Sequence, residues 1–258
     1  MPAACSTLIA VALLGLVLAG MLVLKPVMRV LISSDADLNE SIGCATAEFN
    51  LFYGLLPGLL TVSAYENNTQ ARQAVLGEAN AISVLSSEMN ACPDPLRTTI
   101  KPMLRDYVLF TICKDWPARR EVTYLDGGDN RADAMRQRLA AFEPQTSGQV
   151  IIHAEVLCSF QRFVEARHER IASVFLQIPR VLRQAVVAGA VINVLLICLL
   201  QRRSRRQFVF GTVSALFLAV LLFVILSLDS PMRGRAGITP QPLLRVWDRS
   251  MTWDEPKY

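Results

Sequence analysis

The sequence is poor in charged residues, and the shortage falls in a few long segments. Charged residues make up 19% of its 258 residues, whereas an average soluble domain carries about 25%. Residues 7–24 and 208–228 contain no charge at all, and residues 181–200 contain a single charge, Arg183. A helix of about 20 apolar residues crosses the hydrocarbon core of a bilayer. These three segments therefore predict membrane-spanning helices.

A fourth apolar segment, residues 49–64, is shorter and is interrupted by Pro57 and Gly58. Such a helix is tolerated in a membrane where neighbouring helices satisfy the freed backbone groups. We interpret it as the second of four spans in chain order; the alternative is a buried or interfacial helix. The first segment has no basic residue before Lys25, which favours a retained helix over a cleaved signal peptide.

The sequence also lacks the motifs of the common enzyme and metal-binding classes. It contains no P-loop, GxGxxG, GxSxG or HExxH motif, and its six cysteines form no CxxC pair. His153 and His168 are far apart and have no ligand-like residues around them. We therefore predict no catalytic residue, no metal and no cofactor. Four arginines at 202–206 stand between two apolar segments, so they do not indicate nucleic acid.

The remaining sequence predicts an all-α protein with a helical domain inserted between the second and third spans. We divide it into residues 1–65 (spans one and two), 66–180 (helical domain), 181–228 (spans three and four) and 229–258 (polar tail). One apolar helical face begins the domain, with spacings of three and four: Ala71, Val75, Ala79, Ile82, Leu85 and Met89.

Local signals predict where helices end and how two spans meet. Prolines at 93 and 95 stop the first domain helix, because proline cannot continue a helix. Asp129 or Asn130 is predicted to cap a later helix that runs to Phe142. Asn193, in the middle of the third span, is predicted to form an interhelical hydrogen bond.

Two sets of residues could serve ion passage if several copies of the chain formed a ring. The first set is an apolar stripe on the second span, which consists of Phe49, Phe52, Tyr53, Leu56 and Leu60. In a ring, this stripe would line a constriction that gates by dewetting, whereas in a single chain it only packs helices together. Arg97, Lys101 and Arg105 share a helix face and could attract anions to a vestibule; the alternative is a solvated or headgroup-facing surface. Glu78 is flanked by small residues, which would allow close packing against another helix; the alternative is an ordinary exposed glutamate.

Several motifs, in their order along the chain, resemble the bestrophin-like family of bacterial membrane proteins. A helix with a Glu-Ala pair leads to a proline-rich turn, then to a tyrosine-bearing helix with a Trp-Pro stop. Further matches are "RHERIASVFLQIPRVL" before the third span and "LDSPMRGRAGITPQPL" after the fourth. The matching positions are Glu78, Tyr107, Trp116, Pro117, Asp229, Pro231 and Gly234.

The resemblance implies a distant relation to bestrophins, which are pentameric anion channels. We therefore expect a lipid bilayer, small anions and further copies of the same chain as partners, in a bacterial inner membrane. The alternatives are a non-conducting scaffold or accessory subunit, or a sensor with an extracytoplasmic domain. Basic residues near the membrane divide six against seven between its two sides. The resemblance favours a cytoplasmic domain, whereas the dense arginine cluster at 202–206 favours the reverse orientation.

Overall fold

The computed structural model describes residues 36–120, 123, 125–173, 178–199 and 238–251, with isolated residues at 15, 213, 216, 217, 219–221, 223 and 224. The described residues are helical and form no strand, which confirms the all-α prediction for this part of the chain. The predicted first span, the arginine cluster at 202–206 and Asp229, Pro231 and Gly234 lie outside the described residues. The predicted fourth span is described only at isolated positions.

The helices follow one another with short connections. In chain order they are α1 (Ala36–Glu88), α2 (Leu96–Phe110), α3 (Trp116–Arg120), α4 (Gly127–Ala140), α5 (Ser147–Ser173), α6 (Arg180–Leu199) and α7 (Gln241–Val246). A 3₁₀ turn at Met89–Ala91 ends α1, and π-helical turns at Thr111–Asp115 and Trp247–Met251 follow α2 and α7. Within the described residues, no helix combines the length and the apolar character that crossing a membrane requires.

The chain divides into two compact units. The first comprises the described residues of 1–68 and 177–236, and the second those of 69–176 and 237–258. Helix α1 contributes residues to both units and continues through Pro57, although proline leaves one carbonyl of the preceding turn without its usual donor. The predicted second span and the first helix of the domain are therefore parts of one continuous helix.

The first unit is held together where α1 packs against α6. Its apolar core consists of Tyr53, Leu60, Ala64, Ile178, Val186 and Ala190, with Phe49 and Leu56 packed against it. The Tyr53 hydroxyl donates a 2.8 Å hydrogen bond to the carbonyl of Val186. A Cβ atom at Gly189 would lie 2.2 Å from the Tyr53 ring, so a glycine is required there. The predicted interhelical bond of Asn193 is confirmed, with Asn50 as its acceptor.

The second unit confirms the predicted apolar face of the domain, because all six of its residues are buried. The stop after Met89 is confirmed as well, since Cys92 has an extended backbone. The predicted cap at Asp129 or Asn130 is wrong. Helix α4 begins at Gly127, with Asp126 preceding it, and its last residue is Ala140. Asp129 lies in the first turn instead, and its carboxylate forms an ion pair across the unit.

Candidate functional site

Charged residues occupy core positions on three helical segments of the second unit. On α5, buried Val156, Phe160 and Phe163 recur at helical spacing, and Arg167 and Arg170 continue the same stripe. Glu78 takes a core position of α1 in the same manner, between Val75 and Ile82 in sequence. Asp115 does so at the end of the π-helical turn. Burying a charge is costly unless it is paired, so these positions require partners.

Glu78 is the acceptor at the centre of this cluster, and its side chain is fully buried. The Tyr107 hydroxyl donates a 2.5 Å hydrogen bond to Glu78 Oε1. Arg170 donates through Nε to Glu78 Oε2 and through Nη2 to Oε1, the latter at 3.4 Å. The guanidinium thus engages both carboxylate oxygens, the paired geometry that arginine and carboxylate favour.

Arg170 also joins Glu78 to Asp115. Its Nη1 lies 3.2 Å from Asp115 Oδ2, and the side chains of Arg170 and Asp115 are both almost completely buried. The Thr111 hydroxyl donates to the Tyr107 carbonyl at 2.9 Å, within the turn that carries Asp115. One cation therefore links α1, α5 and the π-helical turn after α2.

Arg167, one turn before Arg170, forms a second ion pair. Its Nη1 donates to Asp129 Oδ1, and its side chain is buried while that of Asp129 is about one third exposed. A Cβ atom at Gly128 would lie 2.7 Å from Arg167 Nη2, so the glycine makes room for the guanidinium. Within the described residues, Arg167 Nε is a buried donor without an acceptor. The pair connects α4 to α5.

The electrostatics of the cluster keep Tyr107 neutral and the two arginines charged. Burial raises the pKa of the Tyr107 phenol, and the Glu78 carboxylate beside it raises this pKa further. Burial acts to lower the pKa of Arg170, but Glu78, Tyr107 and Asp115 raise it more strongly, so the net shift is upward. At Arg167 burial is likewise outweighed, chiefly by the hydrogen bond to Asp129.

The ion pairs and hydrogen bonds of this cluster hold the helices of the second unit together. Arg170 fills the space between the two carboxylates, and in the described part of the chain no three His, Cys, Asp or Glu side chains converge as a metal site would require. Tyr107 also packs edge-on against Phe163, with ring centroids 5.0 Å apart. A buried network whose charges are paired restricts the helices that carry it to one arrangement.

Only some of the family-motif residues named from sequence contact one another. Glu78 and Tyr107 are in direct contact, and Trp116 is buried directly after Asp115 in the chain, whereas Pro117 is exposed. Sequence reasoning missed Asp115. It assigned Asp129 to a helix cap, and it included Arg167 and Arg170 in a family motif without predicting that they are buried and paired. The signal that could have revealed the arginines is their place in an apolar stripe, because an unpaired charge is not stable there.

The apolar stripe predicted on the second span is divided between two environments. Tyr53 and Leu60 are buried against α6, and Phe49 and Leu56 are partly buried at the edge of that core. Phe52, by contrast, is 71% exposed. Phe49 and Tyr53 stack on each other, with ring centroids 5.5 Å apart. Of the five residues, only Phe52 is classed as exposed.

The three cations predicted to share a face of α2 also have different surroundings. Arg97 and Lys101 line the same cleft of the second unit. Arg97 forms an exposed ion pair with Asp94 at 2.8 Å, and Lys101 donates to Asn90. The Arg105 guanidinium instead lies over the ring of Trp247, 5.0 Å from its centroid.

Comparison with known proteins gives one family match. A family model described as the Bestrophin-like domain matches residues 11–243, which is most of the chain. No curated protein and no solved structure matches it.

Proposed function

Because the chain belongs to the Bestrophin-like family, we propose that it is a multi-pass membrane protein whose copies assemble around a passage for small anions. The family relation to bestrophin channels and the four apolar segments of the sequence support this proposal. The first unit would lie in the bilayer, with the second unit in the cytoplasm of a bacterial cell.

The exposed surface of α1 in the first unit is the observation that carries the proposal. Phe52, Leu55 and Leu59 are 71%, 62% and 67% exposed, and none of the described residues of this unit covers them. Exposed apolar area of this kind is unfavourable in water and marks a surface for lipid or protein. Glu48 and Glu66 flank it, 18 residues apart. At 1.5 Å per residue this is about 27 Å, close to the thickness of a hydrocarbon core.

We assign the passage to the line formed by exposed Phe52 and Leu59 and partly buried Leu56, which are spaced four and three apart. Each would occur once per subunit around the axis, so large side chains there would narrow and dry the passage. Tyr53 and Leu60 would act indirectly, by holding α1 against α6. This assignment keeps Phe52 and Leu56 from the predicted stripe and adds Leu59.

Ion flux into liposomes tests the assignment. Phe52→Ala should raise chloride flux above that of the wild-type protein, because a smaller side chain widens and wets the constriction. Val191→Ala is the matched control, since Val191 is an exposed apolar residue of α6, at 56% exposure, outside the assigned line. Potassium flux without chloride flux would contradict anion selectivity and would direct attention to Glu48 and Glu66 beside the line.

The oligomeric state separates the channel from its main alternative, a non-conducting scaffold or accessory subunit. Light scattering of the purified protein should give the mass of a closed homo-oligomer, with a pentamer expected by analogy. A monomer, together with no flux from any well-folded variant, would leave the scaffold as the better hypothesis.

Labelling with a membrane-impermeant thiol reagent tests the orientation. Ser147 is exposed at the start of α5 and suits a cysteine substitution, but Cys113 and Cys158 of the same unit are also exposed and must first become serine. In intact cells Ser147→Cys should remain unlabelled, and permeabilised cells provide the positive control. Labelling in intact cells would reverse the orientation and would favour a sensor with an external domain.

A further inference from the structure

A polar cleft of about 820 Å³ lies in the second unit, away from the buried ion network. Its walls come from the end of α1, the first turns of α2 and the π-helical turn after α7. Pockets that bind small molecules commonly measure about 300–1,000 Å³. The cleft is therefore large enough for an organic ligand, and far larger than a single chloride or phosphate ion needs.

The lining of the cleft is cationic and rich in hydroxyl groups. Arg97, Lys101 and Arg249 supply three positive charges, and the described lining residues include no acidic side chain. Serine and threonine hydroxyls complete the polar lining, from Ser83, Ser86, Ser87, Thr98 and Ser250. Guanidinium and ammonium groups recognise phosphate and carboxylate, and hydroxyls both donate and accept hydrogen bonds.

The three cations differ in how strongly they are already engaged. Arg97 pairs with Asp94, and Lys101 donates to Asn90, which also lines the cleft. For Arg249, the described part of the chain provides no ion pair or hydrogen bond. It is thus available to a ligand.

The kind of lining also restricts the ligand. No aromatic side chain is among the described residues of the wall, so the cleft offers no surface on which a nucleobase could stack. Its hydroxyls match a ligand that carries hydroxyls of its own. We propose that the cleft binds the phosphate ester of a hydroxylated small molecule, with the phosphate among Arg97, Lys101 and Arg249. This binding does not require the chain to conduct ions.

Titration calorimetry on the full-length protein in detergent tests the proposal, with glucose 6-phosphate as the probe and with glucose and inorganic phosphate as comparisons. Glucose 6-phosphate should bind more tightly than inorganic phosphate, and glucose should not bind. Arg249→Gln and Lys101→Gln should each weaken binding by about tenfold or more, as expected for a lost hydrogen bond to a charged group. Arg162→Gln, an exposed cation of α5 outside the cleft, should change it less than twofold.

The same chemistry could be presented by a lipid, because phosphatidylglycerol carries a glycerol phosphate headgroup. Vesicles of phosphatidylglycerol, compared with phosphatidylcholine, form the second arm. Cleft-dependent binding to these vesicles without binding of glucose 6-phosphate would assign the lipid as the source. Absence of binding in both arms, binding unchanged by Arg249→Gln and Lys101→Gln, or equal affinity for inorganic phosphate would overturn the proposal.

Discussion

Replacement of Arg170 is the most direct test of the buried network. Arg170→Met removes the cation shared by Glu78 and Asp115 but keeps much of the volume of the side chain. Two carboxylates, 0% and 4% exposed, then remain without their common partner. Breaking a buried ion pair by removing one member costs about 3–5 kcal/mol, because a buried charge is left uncompensated. Since two carboxylates lose their cation, we expect the upper part of this range.

Tryptophan fluorescence provides the assay, because Trp116 and Trp247, two of the three tryptophans of the chain, lie in the described part of the second unit. Thermal unfolding followed in detergent therefore reports on the unit that contains the network. A loss of about 3–5 kcal/mol corresponds to a Tm lowered by roughly 10–20 °C in a domain of this size. Arg162→Met is the control on the same helix; Arg162 is exposed, and its replacement should change stability by less than about 0.5 kcal/mol.

A double-mutant cycle distinguishes the loss of a specific pair from a general defect in packing. Glu78→Gln, combined with Arg170→Met, should cost less than the sum of the two single substitutions, by about 1–3 kcal/mol. Additive effects, or an Arg170→Met protein that melts with the wild type, would refute the idea that this ion pair fastens α1 to α5.

Two further predictions concern residues around the same network. Gly128→Ala should destabilise the second unit by about 1–3 kcal/mol, because the added Cβ would lie 2.7 Å from Arg167. Gly148→Ala is the control, because a Cβ at Gly148 would enter open space, and it should be neutral or slightly stabilising. Equal melting temperatures of the two variants would exclude the steric argument. The raised pKa of Tyr107 means that the folded state holds the phenol proton more tightly than the unfolded state. The stability that this difference contributes is complete below the usual tyrosine pKa of about 10 and is lost as the pH rises above it. Between about pH 9 and 11, wild-type stability should therefore fall more steeply than that of Tyr107→Phe; parallel curves would contradict the shift.

The elements that sequence predicts well are those set by local spacing. The buried face from Ala71 to Met89 follows from apolar residues at intervals of three and four, and its stop follows from the prolines at 93 and 95. The start of α4 was not predictable in the same way. The acidic side chain expected to cap the helix at Asp129 is instead drawn into a pair with Arg167, 38 residues further along the chain.

The buried ion network could not be predicted from local sequence, for a similar reason. Glu78 could be identified as unusual, but its partner Arg170 is 92 residues away in sequence. An isolated helix gives no sign of which distant charge will meet it. The apolar stripe of α1 shows the same limit, because Tyr53 and Phe52 look alike in sequence and differ only through the position of α6.

The exposed surfaces of the two units support different surroundings for them. In the first unit, α1 and α6 expose several large apolar side chains, and Asn193 of α6 donates a hydrogen bond to Asn50 of α1. Interhelical hydrogen bonds of this kind suit a bilayer, where water is absent. The second unit exposes ion pairs such as Arg131 with Asp106, which are stable in water but costly in hydrocarbon. This contrast supports the proposal that the bilayer surrounds the first unit, and it does not depend on family membership. If Leu55→Arg, a charge introduced on the exposed face of α1, left membrane insertion and extraction behaviour unchanged, the bilayer could not surround that face.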